Sequence, residues 1–175
     1  MFTTDRLLVR DWAEADVPFV FDMYSRWEVA RWLGAQPRAL ATEDEAAAAI
    51  QRWRSRSSDP PFGVWAVTDR TSGDVKGTVL LVPLPASHGP NDGAVEIGWH
   101  LHPYAWGHGY ASEAGIGAAS RGFESGLDEV YAVVRPDNAP SLAVCRRIGM
   151  TPLGRTSRWY GVELEAFHLG APQSG

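Results

Sequence analysis

Six consecutive residues, Trp106, Gly107, His108, Gly109, Tyr110 and Ala111, lie between a run of strand character and a run of helical character. That placement gives them chemistry. A helix begins with backbone N–H groups that none of its own carbonyls can satisfy, and its dipole adds partial positive charge at the same end. Glycine just before such a start lets an anion approach those groups, so the segment suits a phosphate or pyrophosphate. Two other kinds of phosphate loop do not fit. A Walker loop requires a lysine here, and the one lysine of the chain is Lys76, far upstream in a turn. A dinucleotide fingerprint requires a third glycine or alanine where Ser112 stands, within a parallel βαβ pattern that this stretch lacks.

Just upstream, Val95, Ile97, Trp99 and Leu101 alternate with Glu96, Gly98, His100 and His102, the period of a strand with two different faces. Glu96 therefore points either into a cleft, where a carboxylate can act as a general base, or into solvent. His100 and His102 share a face at a spacing that could present two metal ligands, but no acidic residue at a useful spacing completes a set. They are expected to be ordinary polar-face residues, with no metal. Further on, Asn138 and Ser141 open a helix, where Asn138 can cap the first turn, contact a ligand, or do both. Cys145 falls three residues after Leu142 and three before Ile148, which places its thiol in an apolar stripe. Arg52, Arg54 and Arg56 alternate, so on a helix they fan outward and form no single anion-binding row.

The elements that must position these groups are legible from periodicity and punctuation. Leu7 to Val9 reads as a strand, and Asp16 as the N-cap of a helix carrying Val17, Val20, Phe21 and Tyr24. Trp27 to Leu40, with Gly34 and Pro37, suits a loop or short helix. Thr42 and Glu45 form a capping box that opens a helix through Ala46 to Trp53. Phe62 to Thr68 and Gly77 to Leu84 read as a hairpin turned by Thr71 to Asp74. Pro83 to Gly93 reads as a mobile surface connection. After the strand at Val95 to Leu101, the spacing predicts a small-residue helix over Ala111 to Phe123 and a strand over Val130 to Val134. A helix then starts near Pro140 and ends at Gly149. Thr156 to Tyr160 and Val162 to Leu169, split by Gly161, read as a closing hairpin.

At 175 residues, with 45% hydrophobic residues and 8 Trp, the chain predicts a single domain spanning residues 1–175 with an ordinary core. Lys and Arg total 16 against 21 Asp and Glu, a formal charge of -5, which disfavours nucleic acid and anionic membranes as partners. Asp5, Arg6, Arg10 and Asp11 exclude the apolar core of a signal peptide, and a lone cysteine excludes an internal disulfide, so a cytoplasmic protein is expected.

Two blocks then carry a specific resemblance. The run VEIGWHLHPYAWGHGYASEA, Val95 to Ala114, resembles the acetyl-CoA-binding strand, loop and helix of GNAT N-acetyltransferases, most of all the branch similar to the RimJ and RimL ribosomal-protein alanine acetyltransferases. The run RPDNAPSLAVCRRIGMTPLG, Arg135 to Gly154, resembles that branch's asparagine-containing segment and helix. RLLVRDW and RWYGVELEAFHL match its two ends.

The resemblance implies an α/β (α+β) fold with a mixed, splayed, mostly antiparallel sheet flanked by helices, and acetyl-CoA as co-substrate between the fourth and fifth strands. It implies that backbone groups near Trp99, His100 and Leu101 hold the pantetheine. Trp106, Gly107, His108, Gly109, Tyr110 and Ala111 would hold the pyrophosphate, and Asn138 and Ser141 would line the thioester end. Glu96, acting through water, would then be the amine-activating base, and either Ser141 or water would protonate the departing thiolate. Trp27, Trp32, Glu96, Trp159 and Tyr160 shape the pocket of a peptide or small-molecule amine, and a second copy of the chain is left open as a partner. Two positions depart from the family pattern. Trp106 replaces the usual Gln or Arg, and Cys145 stands where many relatives carry a tyrosine general acid. The missing tyrosine leaves open a second reading, a non-catalytic acyl-CoA-binding module.

Overall fold

The computed structural model describes residues 1–172. Its strands are β1 (Phe2–Thr3), β2 (Leu7–Arg10), β3 (Gly63–Asp69), β4 (Val75–Pro83), β5 (Val95–Leu101), β6 (Glu129–Val134), β7 (Thr151–Thr156) and β8 (Leu164–Gly170). Its helices are α1 (Val17–Ser25), α2 (Trp27–Ala30), α3 (Glu43–Arg56), α4 (Tyr110–Glu124) and α5 (Ala139–Arg147). The strands form one sheet in the order β1-β2-β3-β4-β5-β6-β8-β7. Every neighbouring pair is antiparallel except β5 and β6, which are parallel and register at the single pair Glu96 and Tyr131. Beyond Glu96 the two strands part. The expected mixed, splayed sheet is therefore present, and the splay falls between the strand of Glu96 and the strand that leads to Asn138.

Helices cover both faces because β3 is buried on both. Trp65 and Val67 join Leu81, Ile97, Ala114 and Ala118 under α4, while Ala66 joins Val20, Met23, Ala46 and Ile50 under α1 and α3. Each large side chain so buried contributes roughly 1.5–3 kcal/mol. Helix α4 lies close to the sheet because its inner face is small: a Cβ on Gly115 would sit 3.2 Å from the Trp99 ring. Helix α3 starts as expected, with Thr42 Oγ1 accepting from the Glu45 N–H at 3.3 Å. The Glu45 carboxylate reaches back to the N–H of Ala41, one residue earlier than a capping box requires. Among the described residues no helix is long and apolar enough to cross a membrane.

Four local expectations are corrected. Asp16 stands at the start of α1 but makes no side-chain cap. Its carboxylate instead takes two hydrogen bonds from Arg10, at 2.7 and 2.9 Å, and one from the Ala13 N–H at 2.8 Å. Burial alone would raise that carboxyl, and these donors hold it below its usual range. The closing pair of strands is shifted: β7 runs Thr151–Thr156 through a register irregularity between Pro152 and Gly154, and Trp159 and Tyr160 lie in the loop that follows. Pro83 to Gly93 is tied down, with Leu84 fully buried, Asn91 Oδ1 accepting from the Ala86 N–H and Asp92 paired with Arg158 at 2.8 Å. Finally, β1 adds an edge strand that the polar start of the chain did not signal.

Candidate active site

Where β5 and β6 part, a cavity of about 1100 Å³ opens. One end is the glycine loop. Gly107 and Gly109 take left-handed backbone angles, φ +79° and +80°, and Gly109 is the residue from which α4 begins. These angles are close to free for glycine and cost other residues roughly 1–2 kcal/mol, which explains the glycines on backbone grounds alone. They also clear space. A Cβ on Gly107 would meet nothing within 4 Å, and one on Gly109 would meet only Arg6 Nη2 at 3.5 Å. The loop is fastened on three sides. Trp106 Nε1 donates to the Leu101 carbonyl at 2.9 Å, His108 Nδ1 donates to the Trp106 carbonyl at 2.7 Å, and Arg6 Nη1 donates to the His108 carbonyl at 3.0 Å. Arg6 is held in turn by Glu113, at 2.7 Å, and lies over the Tyr110 ring. The outcome is a braced, open helix start whose N–H groups are of the kind that can receive an anion.

The other end carries the titratable groups. Ser141, in the first turn of α5, accepts a hydrogen bond from Trp99 Nε1 at 3.1 Å, so its own hydroxyl proton is free to point elsewhere. Asn138 caps that turn, its Oδ1 accepting from the Ser141 N–H at 3.3 Å. Glu96 enters from β5 on the opposite strand face, and Tyr160 donates to its Oε2 at 2.5 Å. Burial pushes the Glu96 carboxyl up to about 7, a rise that the Tyr160 hydroxyl partly offsets. A carboxyl poised there can take a proton near neutral pH, and a hydroxyl on the facing helix can give one. The glycine loop, the Glu96 carboxyl and the Ser141 hydroxyl share one cavity.

Residues 6–151 match the family model described as Acetyltransferase (GNAT) domain. The chain belongs to the GNAT acetyltransferase family. It is 28% identical over 152 residues to the uncharacterized N-acetyltransferase YoaA of Bacillus subtilis (strain 168), covering 86% of this chain and 82% of that protein. It is 33% identical over 116 residues to the FsC-acetyl coenzyme A-N(2)-transacetylase of Aspergillus fumigatus, covering 63% of this chain and 48% of that protein. Among solved structures its fold matches the RimL ribosomal alpha-N-protein acetyltransferase in complex with coenzyme A, with a TM-score of 0.77 and 16% identity over 95% of each chain.

This GNAT chain is thus an acetyl-CoA-dependent acyltransferase, and its cavity brings together most of the residues singled out from the sequence. Glu96, Trp99, His100, Leu101, Asn138 and Ser141 line it, as do the whole segment from Trp106 to Ala111 and, among the residues expected to shape an acceptor pocket, Trp32 and Tyr160. Trp27 and Trp159 do not. Trp27 projects from the start of α2 with 57% of its surface exposed. Trp159 is buried against Leu84, Ala94 and Ala166, because consecutive residues of a bent loop send their side chains opposite ways.

The two histidines share a face as expected, but each has a partner that the local sequence could not show. His100 Nδ1 lies 2.9 Å from the Tyr24 hydroxyl, and burial pulls its ring down to about 4, leaving it neutral at pH 7. His102 Nδ1 accepts from the Tyr104 N–H, so Nε2 donates to Asp22 at 3.0 Å. The acidic partner missing along the strand comes from α1. Cys145 is fully buried, and burial pushes its thiol up to about 12, which makes it a packing residue. Sequence reasoning missed Arg31 and Arg147, which line the cavity, and Arg6, which braces the loop. Arg147 Nη1 reaches Ser112 at 3.3 Å. The adjacent Arg146 and Arg147 carried no signal of which would face inward.

Proposed function

We propose that this GNAT enzyme transfers the acetyl group of acetyl-CoA directly to a primary amine, an α-amine in preference to a lysine side chain, in a ternary complex. The branch that best accommodates this is the RimJ/RimL-like one. The observation that carries the reading is the pairing of Glu96, poised at about 7, with Ser141 across the same cavity that ends in the glycine loop. Acetyl-CoA supplies the thioester. The N–H groups of Gly107 to Ala111 would hold its pyrophosphate, with Trp106 fastening the loop. The unpaired edge of β5 at Trp99, His100 and Leu101 would hold the pantetheine, with Asn138 and Ser141 at the thioester end.

Glu96 takes the proton from the acceptor ammonium, directly or through one water. For an α-amine of pKa about 7.7–8.0 that transfer is uphill by roughly one unit, about 1.4 kcal/mol. For a lysine near 10.4 it is uphill by more than three units, roughly 4–5 kcal/mol. Ser141 relays to the departing thiolate the second proton, the one that the nitrogen of the tetrahedral intermediate loses as the C–S bond breaks, so its hydroxyl is restored and neutral amide and free thiol result. A thiolate whose thiol titrates near 8.5 lies uphill by only about 2 kcal/mol at neutral pH, so a hydroxyl that hydrogen-bonds it and relays a proton suffices where the family's tyrosine is replaced by Cys145. Trp32 and Tyr160 would flank the amine.

The experiment is thiol release from acetyl-CoA at pH 7 with peptides of varied N-terminal residue, Nα-blocked lysine peptides, polyamines and aminoglycosides. Free α-amines are expected to give the highest kcat/KM. Turnover confined to blocked lysine peptides, or to polyamines, overturns the acceptor assignment.

A paired substitution separates donor from packing residue. Ser141→Ala is expected to lower kcat by roughly tenfold or more with little change in the affinity for coenzyme A. Cys145→Ala should keep most of the turnover while losing about 1 kcal/mol of stability from the vacated core volume. Steady-state kinetics with denaturant titrations reads both. An acetyl adduct on Cys145, found by mass spectrometry and discharged by an amine, would replace direct transfer with a covalent route.

A further inference from the structure

Tyr160 has a backbone that only its surroundings can maintain. Among the described residues it is the one non-glycine with a left-handed φ, +60°, and the next residue, Gly161, is left-handed as well. Such a conformation costs a tyrosine free energy and persists where neighbouring contacts over-determine it. Those contacts are present on both sides. The Tyr160 N–H donates to the Pro85 carbonyl at 3.2 Å and the Gly161 N–H to Ser87 Oγ at 2.8 Å. Ser87 Oγ itself donates to the Ser157 carbonyl at 2.6 Å, and the Ser87 N–H to the Arg158 carbonyl at 2.8 Å. Trp159 plugs the adjacent core beneath the loop. The side chain this scaffold delivers ends in a hydroxyl 2.5 Å from Glu96 Oε2. Tyr160 is also shared between the main cavity and a neighbouring cleft of about 470 Å³ lined by Arg56, Asp59 and Phe62.

We infer that Tyr160 is a positioning residue for the amine-activating carboxylate: its hydroxyl fixes one oxygen of Glu96 and leaves the other oxygen free for the acceptor. This rests on the reading of Glu96 as the base. An O–H donated to a carboxylate stabilises the charged form, so the hydroxyl works against the burial that opposes ionisation. Burial and that hydroxyl are the two influences acting on Glu96. On its own strand face the next titratable group is His100, neutral near pH 7 and engaged with Tyr24. From β6 its register partner is Tyr131, whose hydroxyl donates to Glu129. From β4 its register partner is the apolar Val82. The charged residues lining the cavity are Glu28 and Arg31 of the α2 segment, Arg135 after β6, which donates to the Gly34 and Ala35 carbonyls, and Arg147 at the end of α5. Arg56 of the neighbouring cleft acts on Tyr160.

The test is Tyr160→Phe, which removes one oxygen from a ring that keeps its place, alone and combined with Glu96→Gln. The acidic limb of kcat/KM is expected to move to higher pH by about one unit, with near-wild-type turnover recovered above it. The acceptor's own titration is common to both enzymes and cancels in their ratio. Coenzyme A affinity, read by calorimetry, should be unchanged and certifies the fold. In the Glu96→Gln background, Tyr160→Phe should add no further shift. A profile superposed on wild type, or an equal loss at every pH, overturns the role of Tyr160. If instead Glu96→Gln itself keeps the wild-type profile, the base assignment has failed, and the role of Tyr160 falls with it.

Discussion

Glu96→Gln is expected to lower kcat/KM at pH 7 by about 100-fold, the lower end of the range for losing a general base. The loss should be graded with pH. At low pH the acceptor is an ammonium and the enzyme depends on Glu96. Near and above the acceptor's own pKa the free amine forms without help, and the variant should recover part of its rate. In the wild type, activity should rise through a limb centred near the value of about 7 at which Glu96 ionises. The same substitution has an opposite effect on stability, and the sign follows from linkage. The folded carboxyl titrates above its ordinary value, so its contribution to stability is full below about 4.5 and is lost as pH rises through about 7. Glutamine carries no charge to desolvate, so Glu96→Gln should be more stable than wild type at pH 8.5 by about 1–3 kcal/mol, and similar to it at pH 4.5. Urea titrations at the two pH values, beside initial rates across the same range, check both halves. A variant that loses activity equally at every pH without the alkaline gain in stability would assign Glu96 a structural role.

Gly109→Val is expected to weaken coenzyme A binding by about 50-fold or more, the second large effect. Backbone and space both contribute. At φ +80° a β-branched residue is strained whatever surrounds it, so the loop should relax away from the geometry that aims its N–H groups. A branched side chain would also crowd Arg6, whose Nη2 lies 3.5 Å from the Cβ position, and loosen its hold on the His108 carbonyl. Because strain alone lowers stability, a control must share it. Gly126, at the far end of α4, has φ +95° and open space around its Cβ position. Gly126→Val should therefore lose comparable stability, roughly 1–2 kcal/mol, and keep wild-type affinity. Calorimetric titration of both variants, with thermal melts, separates the two effects. Equal affinities would place the pyrophosphate elsewhere.

How far such outcomes could be foreseen from the sequence depends on which contacts each residue needs. The alternation from Val95 to His102 placed Glu96, His100 and His102 on one face, and the structure keeps Glu96 and His100 there in β5, with His102 just past its end, because side-chain direction along a strand is a local property. The glycines before α4 announced a helix start open to an anion for the same reason. Two blocks in the right order, Val95 to Ala114 and Arg135 to Gly154, were enough to point to the family and its co-substrate. Cys145 was readable as core from its apolar neighbours one turn away on each side.

What the sequence left open was everything set by an element that arrives from elsewhere in the chain. Periodicity could not say whether the face of Glu96 met solvent or a cleft, since its partner Tyr160 lies 64 residues on, in a loop read as strand. The same limit hid Asp22 from His102 across 80 residues, and Arg6 from the loop it braces across 102. It also gave Trp159 and Tyr160 one shared role, when the bend between them buries the first and delivers the second to Glu96. Local pattern determined which way each side chain leaves its own strand or helix. The depth of its burial, and with it the ionisation of Glu96, was decided only when β5 and β6 parted and the Trp159–Tyr160 loop closed over the gap, because desolvation depends on all the atoms that exclude water and not on chain neighbours.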